Sequence, residues 1–160
     1  MSSKPFDRME PRELKIMLVG QRISAATILF HTAVAERLGV NATDFKCHTL
    51  LTQLGELTAG ELAERTGLTT GAITGVIDRL EEANLVRRAP DPNDRRRVVI
   101  ELLHNPERDD EIEKLFEPMS RAIFEAAAKY SDEELNSILE FISNVASVME
   151  SETQKLRQMD

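Results

Sequence analysis

Two stretches of this sequence carry side chains suited to binding a polyanion. The first contains small and hydroxyl-bearing residues: Thr69, Thr70, Gly71, Ala72 and Thr74. The second is a row of guanidinium groups: Arg95, Arg96 and Arg97. Threonine hydroxyls hydrogen-bond several base edges and threonine methyl groups contact thymine, whereas guanidinium groups bind phosphate or enter a narrow minor groove. These residue types therefore indicate double-stranded DNA as the partner.

The first stretch lies in a pattern typical of a helix-turn-helix. Thr58 and Glu61 have the spacing of a capping box, which predicts a short helix over Ala59–Thr66. Gly67 then supplies a residue that adopts positive φ without steric cost, so the chain can turn sharply. Either threonine of the Thr69–Thr70 pair can cap a second helix. Two helices joined by a turn of this length form the helix-turn-helix motif.

The second helix and the arginines are connected by a predicted hairpin. The helix buries one face at helical spacing, made of Ile73, Val76, Ile77 and Leu80. Asn84 should end it, because asparagine tolerates the left-handed conformation of a helix cap. Residues 85–89 and 97–103 have the pattern of strands, and the proline-containing loop 90–94 between them should be exposed. A helix-turn-helix followed by a cationic hairpin is a winged helix.

These motifs together resemble the multiple antibiotic resistance regulator (MarR) family of bacterial transcription factors. The resemblance is carried by Leu62–Leu68, Ile73–Thr74, Asp78–Glu81 and Asp91–Arg96. The sequence departs from the family pattern at two places. Asn84 stands where glycine is usual, and Leu103–His104 replaces the threonine that usually closes the last wing strand. The resemblance implies a sequence-specific regulator, commonly a repressor, that binds DNA as a homodimer. It also implies that Asp78 pairs with Arg96 and so holds the wing at a fixed angle to the second helix.

Apolar helices flank the winged helix on both sides. A long helix is predicted from Pro11 to about Gly39, and its apolar residues lie on two faces that need two partners. After Pro106 the pattern predicts one helix to about Lys129 and another opened by a capping box at Ser131–Glu134. We therefore expect a mainly α protein with a small β-hairpin wing. Residues 10–40 and 107–158 would form a helical dimerisation layer, and residues 41–104 the DNA-binding region.

The net charge of −8 does not exclude a DNA partner, because the acidic residues are concentrated near the C-terminus. Residues 104–160 contain six basic and fourteen acidic groups, whereas Arg87–Arg97 contains five arginines and two aspartates. No apolar run reaches the ~18 residues of a membrane span, and no secretion leader is evident. We expect a cytoplasmic protein without a membrane partner, and the single cysteine fits a reducing compartment.

The family resemblance also implies an effector, since relatives are commonly released from DNA by small aromatic anions. The candidate ligand residues lie in the long first helix and in a helix predicted to begin at Asn41 or Thr43 and to end at Gly55: Met17, Phe30, His31, Phe45 and His48. A methionine or phenylalanine at helical spacing is more often part of the core. The histidines are the better anchors, because an imidazole can donate a hydrogen bond to a carboxylate.

Other functions have weaker support in the sequence. Cys47 beside His48 could act as a redox sensor, because an imidazolium lowers a thiol pKa, but free cysteines are usually buried. These two residues with His31 and Glu36 lack the spacing of a metal site, so no metal or other cofactor is expected. No catalytic constellation or phosphate loop is present, which argues against an enzyme. A winged helix that binds proteins instead of DNA remains the other alternative.

Overall fold

The computed structural model describes residues 9–92, 94 and 96–159. Its helices and strands form two compact units. The first unit ends at Asn105 and contains α1 (Pro11–Arg37), α2 (Ala42–Leu54), β1 (Leu57–Thr58), α3 (Ala59–Thr66), α4 (Thr70–Glu82), β2 (Val86–Pro90) and β3 (Val98–Leu102). The second unit begins at Pro106 and contains α5 (Pro106–Ala127) and α6 (Asp132–Arg157). The expected fold class, mainly α with a small β wing, is confirmed. The division into a DNA-binding and a dimerisation region stays a prediction.

Local capping interactions define the helix-turn-helix as the sequence predicted. The Thr58 hydroxyl accepts a hydrogen bond from the Glu61 amide, and the Glu61 carboxylate accepts one from the Thr58 amide. Gly67 has a φ of 74° at the turn. Thr69 caps α4, and Asn84, with a φ of 56°, follows it in the left-handed conformation. Local side-chain chemistry therefore sets where α3 and α4 begin and end.

The sheet has three antiparallel strands in the order β1-β3-β2, so the expected two-stranded hairpin is extended by one strand. Leu57 of β1 and Arg88 of β2 are both opposite Ile100 of β3. The sequence did not reveal β1, because two residues are too few to show alternation of apolar and polar side chains. The predicted strand boundaries were wrong by one residue at each end.

The core of the first unit lies between the helix-turn-helix and the sheet. Its fully buried apolar side chains come from the end of α1 and from α2, α3, α4 and β3, and they include Leu38, Leu51, Leu62, Ile73, Ile77, Leu80 and Ile100. The predicted inner face of α4 is confirmed, because Ile73, Val76, Ile77 and Leu80 are all buried. Burial of each such side chain stabilises the fold by roughly 1.5–3 kcal/mol. The core thus fixes which face of α4 remains outside.

Helix α1 leaves most of its apolar side chains exposed within the first unit. By length and composition alone it could also cross a membrane, although it contains no unbroken apolar run of about 18 residues. The expectation looked for an unbroken apolar run, whereas the mean hydropathy of α1 is high enough despite Gln21 and Arg22. A charged residue near the bilayer centre is costly, so Arg22 argues against insertion of this helix into a membrane.

Candidate nucleic-acid interface

The outer face of α4 presents the small polar side chains expected to meet DNA. Thr70, Gly71, Ala72 and Thr74 are exposed, as is the cap residue Thr69. The Thr74 hydroxyl donates to the Thr70 carbonyl oxygen at 3.1 Å, and the Thr69 hydroxyl accepts from the Ala72 amide at 3.3 Å. Toward a base edge, Thr74 therefore offers an acceptor and a methyl group. This face is uncharged, and these five residues include no side chain that can form a bidentate hydrogen bond with a base.

A buried ion pair attaches α4 to the start of α2. The Asp44 carboxylate accepts hydrogen bonds from Arg79 Nε at 2.9 Å and from Nη2 at 2.7 Å. Asp44 is completely buried and also accepts from the Asn41 amide at 3.2 Å in the α2 capping box. These hydrogen bonds raise the pKa of the Arg79 guanidinium. The Asp44 carboxylate therefore joins α2 to α4 within this chain.

The sequence did not identify this pair. Asp44 fits the third position of an ordinary capping box, and a carboxylate there is expected at a helix N-terminus whether or not an arginine is near. The box was a usable signal for the helix start. Its partner lies 35 residues further along the chain, so no local pattern connects the two.

The wing is attached to α4 through Arg88, which corrects the expected pair between Asp78 and Arg96. Arg88 Nη2 donates to Asp78 Oδ1 at 2.7 Å, and Arg88 Nη1 donates to Glu81. The Glu81 carboxylate also accepts from the Arg88 amide at 2.8 Å. Strand β2 runs directly from the end of α4, so Arg88 is within reach of its last turns, whereas Arg96 lies beyond the loop. The hydrogen bond to Asp78 is the main cause of the raised pKa of Arg88.

The three arginines beyond the loop do not share one role. Arg96 has a side chain that is 91% exposed and pairs with Asp94 at 3.2 Å. Arg97 reaches Glu61 at 3.5 Å and Asp91 at 3.8 Å, so it joins the wing to the start of α3. Hydrogen bonds from Thr58 lower the pKa of Glu61, and Arg97 adds to this effect. Arg95 lies outside the described residues.

Comparisons with known proteins agree on one family. The sequence model of the MarR family matches residues 40–98. A Bacillus subtilis protein described as the uncharacterized HTH-type transcriptional regulator YcgE is 43% identical over 138 residues, which cover 86% of this chain and 88% of that protein. This chain belongs to the MarR family. It is therefore a helix-turn-helix transcriptional regulator, and members of the MarR family bind DNA and act as dimers.

Other MarR family relatives agree in sequence or in fold. A MarR family protein from Bacillus stearothermophilus superposes with a TM-score of 0.64 at 26% identity, covering 88% of this chain and 98% of that one. The HTH-type transcriptional repressor NicR of Pseudomonas putida is 32% identical over 76 residues, or 45% of this chain and 48% of that protein. The second match covers about half of each protein.

A cavity lies between α1 and α2 in this MarR family protein. It has a volume of 360 Å³, and His31 is the one predicted ligand residue among those that line it. Lys46, which the sequence reading did not single out, also lines it. The rings of Phe30, His31, Phe45 and His48 instead form a chain of contacts, with centroids 5.6–6.0 Å apart. Phe45 is buried in the core, and Met17 is exposed on α1 outside this cavity.

Cys47 is fully buried, which argues against the redox hypothesis. Burial raises the pKa of its thiol, and the nearby Asp44 carboxylate raises it further. A sensor thiol must be accessible and ionised, and Cys47 is neither at neutral pH. Its position in the first unit is that of an ordinary core residue.

The wing attachment leads to a prediction for Asp78 and Arg88. We expect Asp78→Ala and Arg88→Ala each to weaken DNA binding, because each loosens the wing. In a double-mutant cycle the pair should show a coupling of ~0.5–1 kcal/mol, or roughly two- to fivefold in Kd. Fluorescence anisotropy of labelled DNA provides the measurement. The matched control is Arg87→Ala on the same strand, which pairs with Glu101 and should not couple to Asp78. Tighter binding by Asp78→Ala would contradict this assignment.

The environment of Cys47 predicts slow thiol chemistry. Its raised pKa keeps the thiol protonated through pH 8, so iodoacetamide should alkylate the folded protein far more slowly than the protein unfolded in guanidinium. Mass spectrometry at timed intervals follows the reaction without interference, because this is the single cysteine of the chain. Equal rates for folded and unfolded protein would restore the redox hypothesis.

Proposed function

We propose that this chain is a ligand-responsive repressor that binds a pseudo-palindromic DNA site as a homodimer. The observation that carries the proposal is an α4 whose exposed face is small and polar and which is joined by ion pairs to α2 and to the wing. Asp44 attaches α4 to α2, and Arg88 attaches the wing to α4. We call α4 the reading helix, and α3, α4 and the wing together the reading head. A preorganised reading head loses little binding free energy to the ordering of its own segments.

The proposed contacts follow from the docking geometry of winged helices. The N-terminal half of α4 enters the major groove, where five residues meet the bases or nearby phosphates: Thr69, Thr70, Gly71, Ala72 and Thr74. Arg95 and Arg96 enter the adjacent minor groove, and the high exposure of Arg96 supports this role. Arg97 contributes mainly by holding the wing to α3, with its outer edge available to phosphate.

Homodimer formation would cover apolar surface that each unit leaves exposed. Helix α1 exposes Leu18, Ile23 and Leu29, and α6 exposes Leu139 and Ile142 among others. Soluble monomers rarely expose contiguous apolar patches of this extent. Each such side chain that a partner buries gains roughly 1.5–3 kcal/mol, so covering several offsets an association cost of about 4–15 kcal/mol. Two reading heads on one dimer would then meet half-sites about one helical turn apart.

Repression and ligand response are the finer parts of the proposal. One relative that matches about half of this chain is described as a repressor, and repression follows physically when a dimer covers a promoter. The α1–α2 cavity supports a small anionic effector, because His31 and Lys46 supply donors and Ile28 and Leu50 supply apolar walls. A ligand in this cavity would contact the first turn of α2, and Asp44 in that turn pairs with Arg79 of α4.

DNA binding and dimer formation can be tested together. We expect light scattering to give twice the mass of the 18.0 kDa chain. Gel shifts with the DNA upstream of its own gene should detect specific binding that weakens by orders of magnitude between about 50 and 200 mM salt. The control is a duplex of the same length with shuffled sequence. A monomer, or a dimer that binds neither duplex, would favour a protein-binding adaptor instead.

The effector site predicts a response to benzoate as a simple aromatic anion. Benzoate should release the wild-type protein from DNA, and Lys46→Gln and His31→Gln should require roughly tenfold more, since one charge-assisted hydrogen bond contributes about 1.5 kcal/mol. Lys114→Gln on α5 is the matched control for the lost charge. Anisotropy titrations at fixed DNA measure the effect. Unaltered release by both cavity variants would exclude this cavity as the site.

A further inference from the structure

Arg79 lines a groove between α2 and α4. The contacts proposed above assign no ligand to this groove. The groove has a volume of 640 Å³ and is lined by small residues on both sides, with Ala42 on α2 and Gly71 and Gly75 on α4. Arg79 is the one cationic residue among those that line it.

The ion pair with Asp44 presents only its positive end to solvent. Asp44 is completely buried, whereas the Arg79 side chain is 47% exposed. Nε and Nη2 point inward and donate to the carboxylate. Among the described residues Nη1 has no hydrogen-bond partner, so it and the outer N–H of Nη2 remain for a ligand. The pair is neutral in sum, but the charge that a ligand meets is that of the guanidinium.

Gly75 leaves room for this arrangement. A Cβ atom at Gly75 would lie 3.3 Å from Arg79 Nη1, which is tighter than ordinary van der Waals contact, whereas a Cβ at Gly71 would meet nothing within 4 Å. Nη1 therefore lies directly over the backbone of α4, on the flank of the reading helix. Two further carboxylates, Asp78 and Glu82, lie near enough to raise the pKa of Arg79, and Asp78 is itself paired with Arg88.

We propose that Arg79 binds a backbone phosphate of DNA at the edge of the major groove that α4 enters. The inference rests on the proposed DNA-binding function and adds a contact that carries no sequence information. A helix in a groove about 12 Å wide has a phosphate strand on each flank. A guanidinium fixed on one side by a carboxylate offers its other edge to phosphate with little loss of side-chain entropy.

The salt dependence of DNA affinity distinguishes a phosphate contact from a purely structural role. For Arg79→Gln we expect the slope of log K against log[salt] to become less negative by about 0.9 per reading head. The loss of affinity at low salt should be equal for the specific duplex and for one of random sequence. A structural role would instead reduce binding to the specific duplex and leave the slope unchanged.

A second variant covers the case in which an uncompensated Asp44 prevents folding. Asp44→Asn combined with Arg79→Gln keeps the net charge of the wild type, and its two amides can hydrogen-bond each other. It should show the same reduced slope. Asp44→Asn alone keeps the guanidinium and should retain the wild-type slope. Arg121→Gln, which removes an exposed arginine from α5, is the control for net charge and should also retain it.

The outcomes separate the two proposals. If the wild type binds no duplex at any salt concentration, the proposed function is wrong and this contact is lost with it. If the wild type binds with a steep slope and both Arg79 variants keep that slope, only the phosphate contact is overturned. A reduced slope in the Arg79 variants, with Arg121→Gln unchanged, supports it.

Discussion

The buried carboxylate of Asp44 is the constraint on which the reading head depends. Three hydrogen bonds converge on it, one from the Asn41 amide at the start of α2 and two from Arg79 on α4. A buried carboxylate without such donors is strongly destabilising, so the fold keeps all three together. This carboxylate consequently connects the first turn of α2 to the last turn of α4. The outward face of α4 is set by this bond as well as by the apolar core.

The wing is also held by ion pairs between arginines and carboxylates, but their side chains are more exposed to solvent. Arg88 connects β2 to the acidic side of α4, and Arg97 connects the far strand to Glu61 at the start of α3. Exposed ion pairs are weaker and are screened by salt, whereas the carboxylate of the Asp44–Arg79 pair is completely buried. The structure thus combines a contact to a buried carboxylate at α4 with more exposed ion pairs at the wing.

Sequence patterns predicted the features that depend on neighbouring residues. The Thr58 and Ser131 capping boxes, the left-handed Asn84 and the buried face of α4 all follow from spacings of a few residues. Features that depend on distant residues were missed or assigned to the wrong partner. The sequence contains several arginines near the wing, and only the three-dimensional path of β2 shows that Arg88 is the one beside Asp78. Lys46 was overlooked because the effect of a lone lysine depends on the cavity around it.

Backbone hydrogen exchange tests most directly whether Asp44 holds the reading helix in place. In Asp44→Ala the amides of the first turn of α2 and of α4 should lose protection together, while those of α6, in the other unit, keep theirs. The measurement compares deuterium uptake of peptides from these helices with the wild type under native conditions. Unchanged protection of α4 in a folded Asp44→Ala protein would contradict the account, because the apolar core alone would then fix the helix.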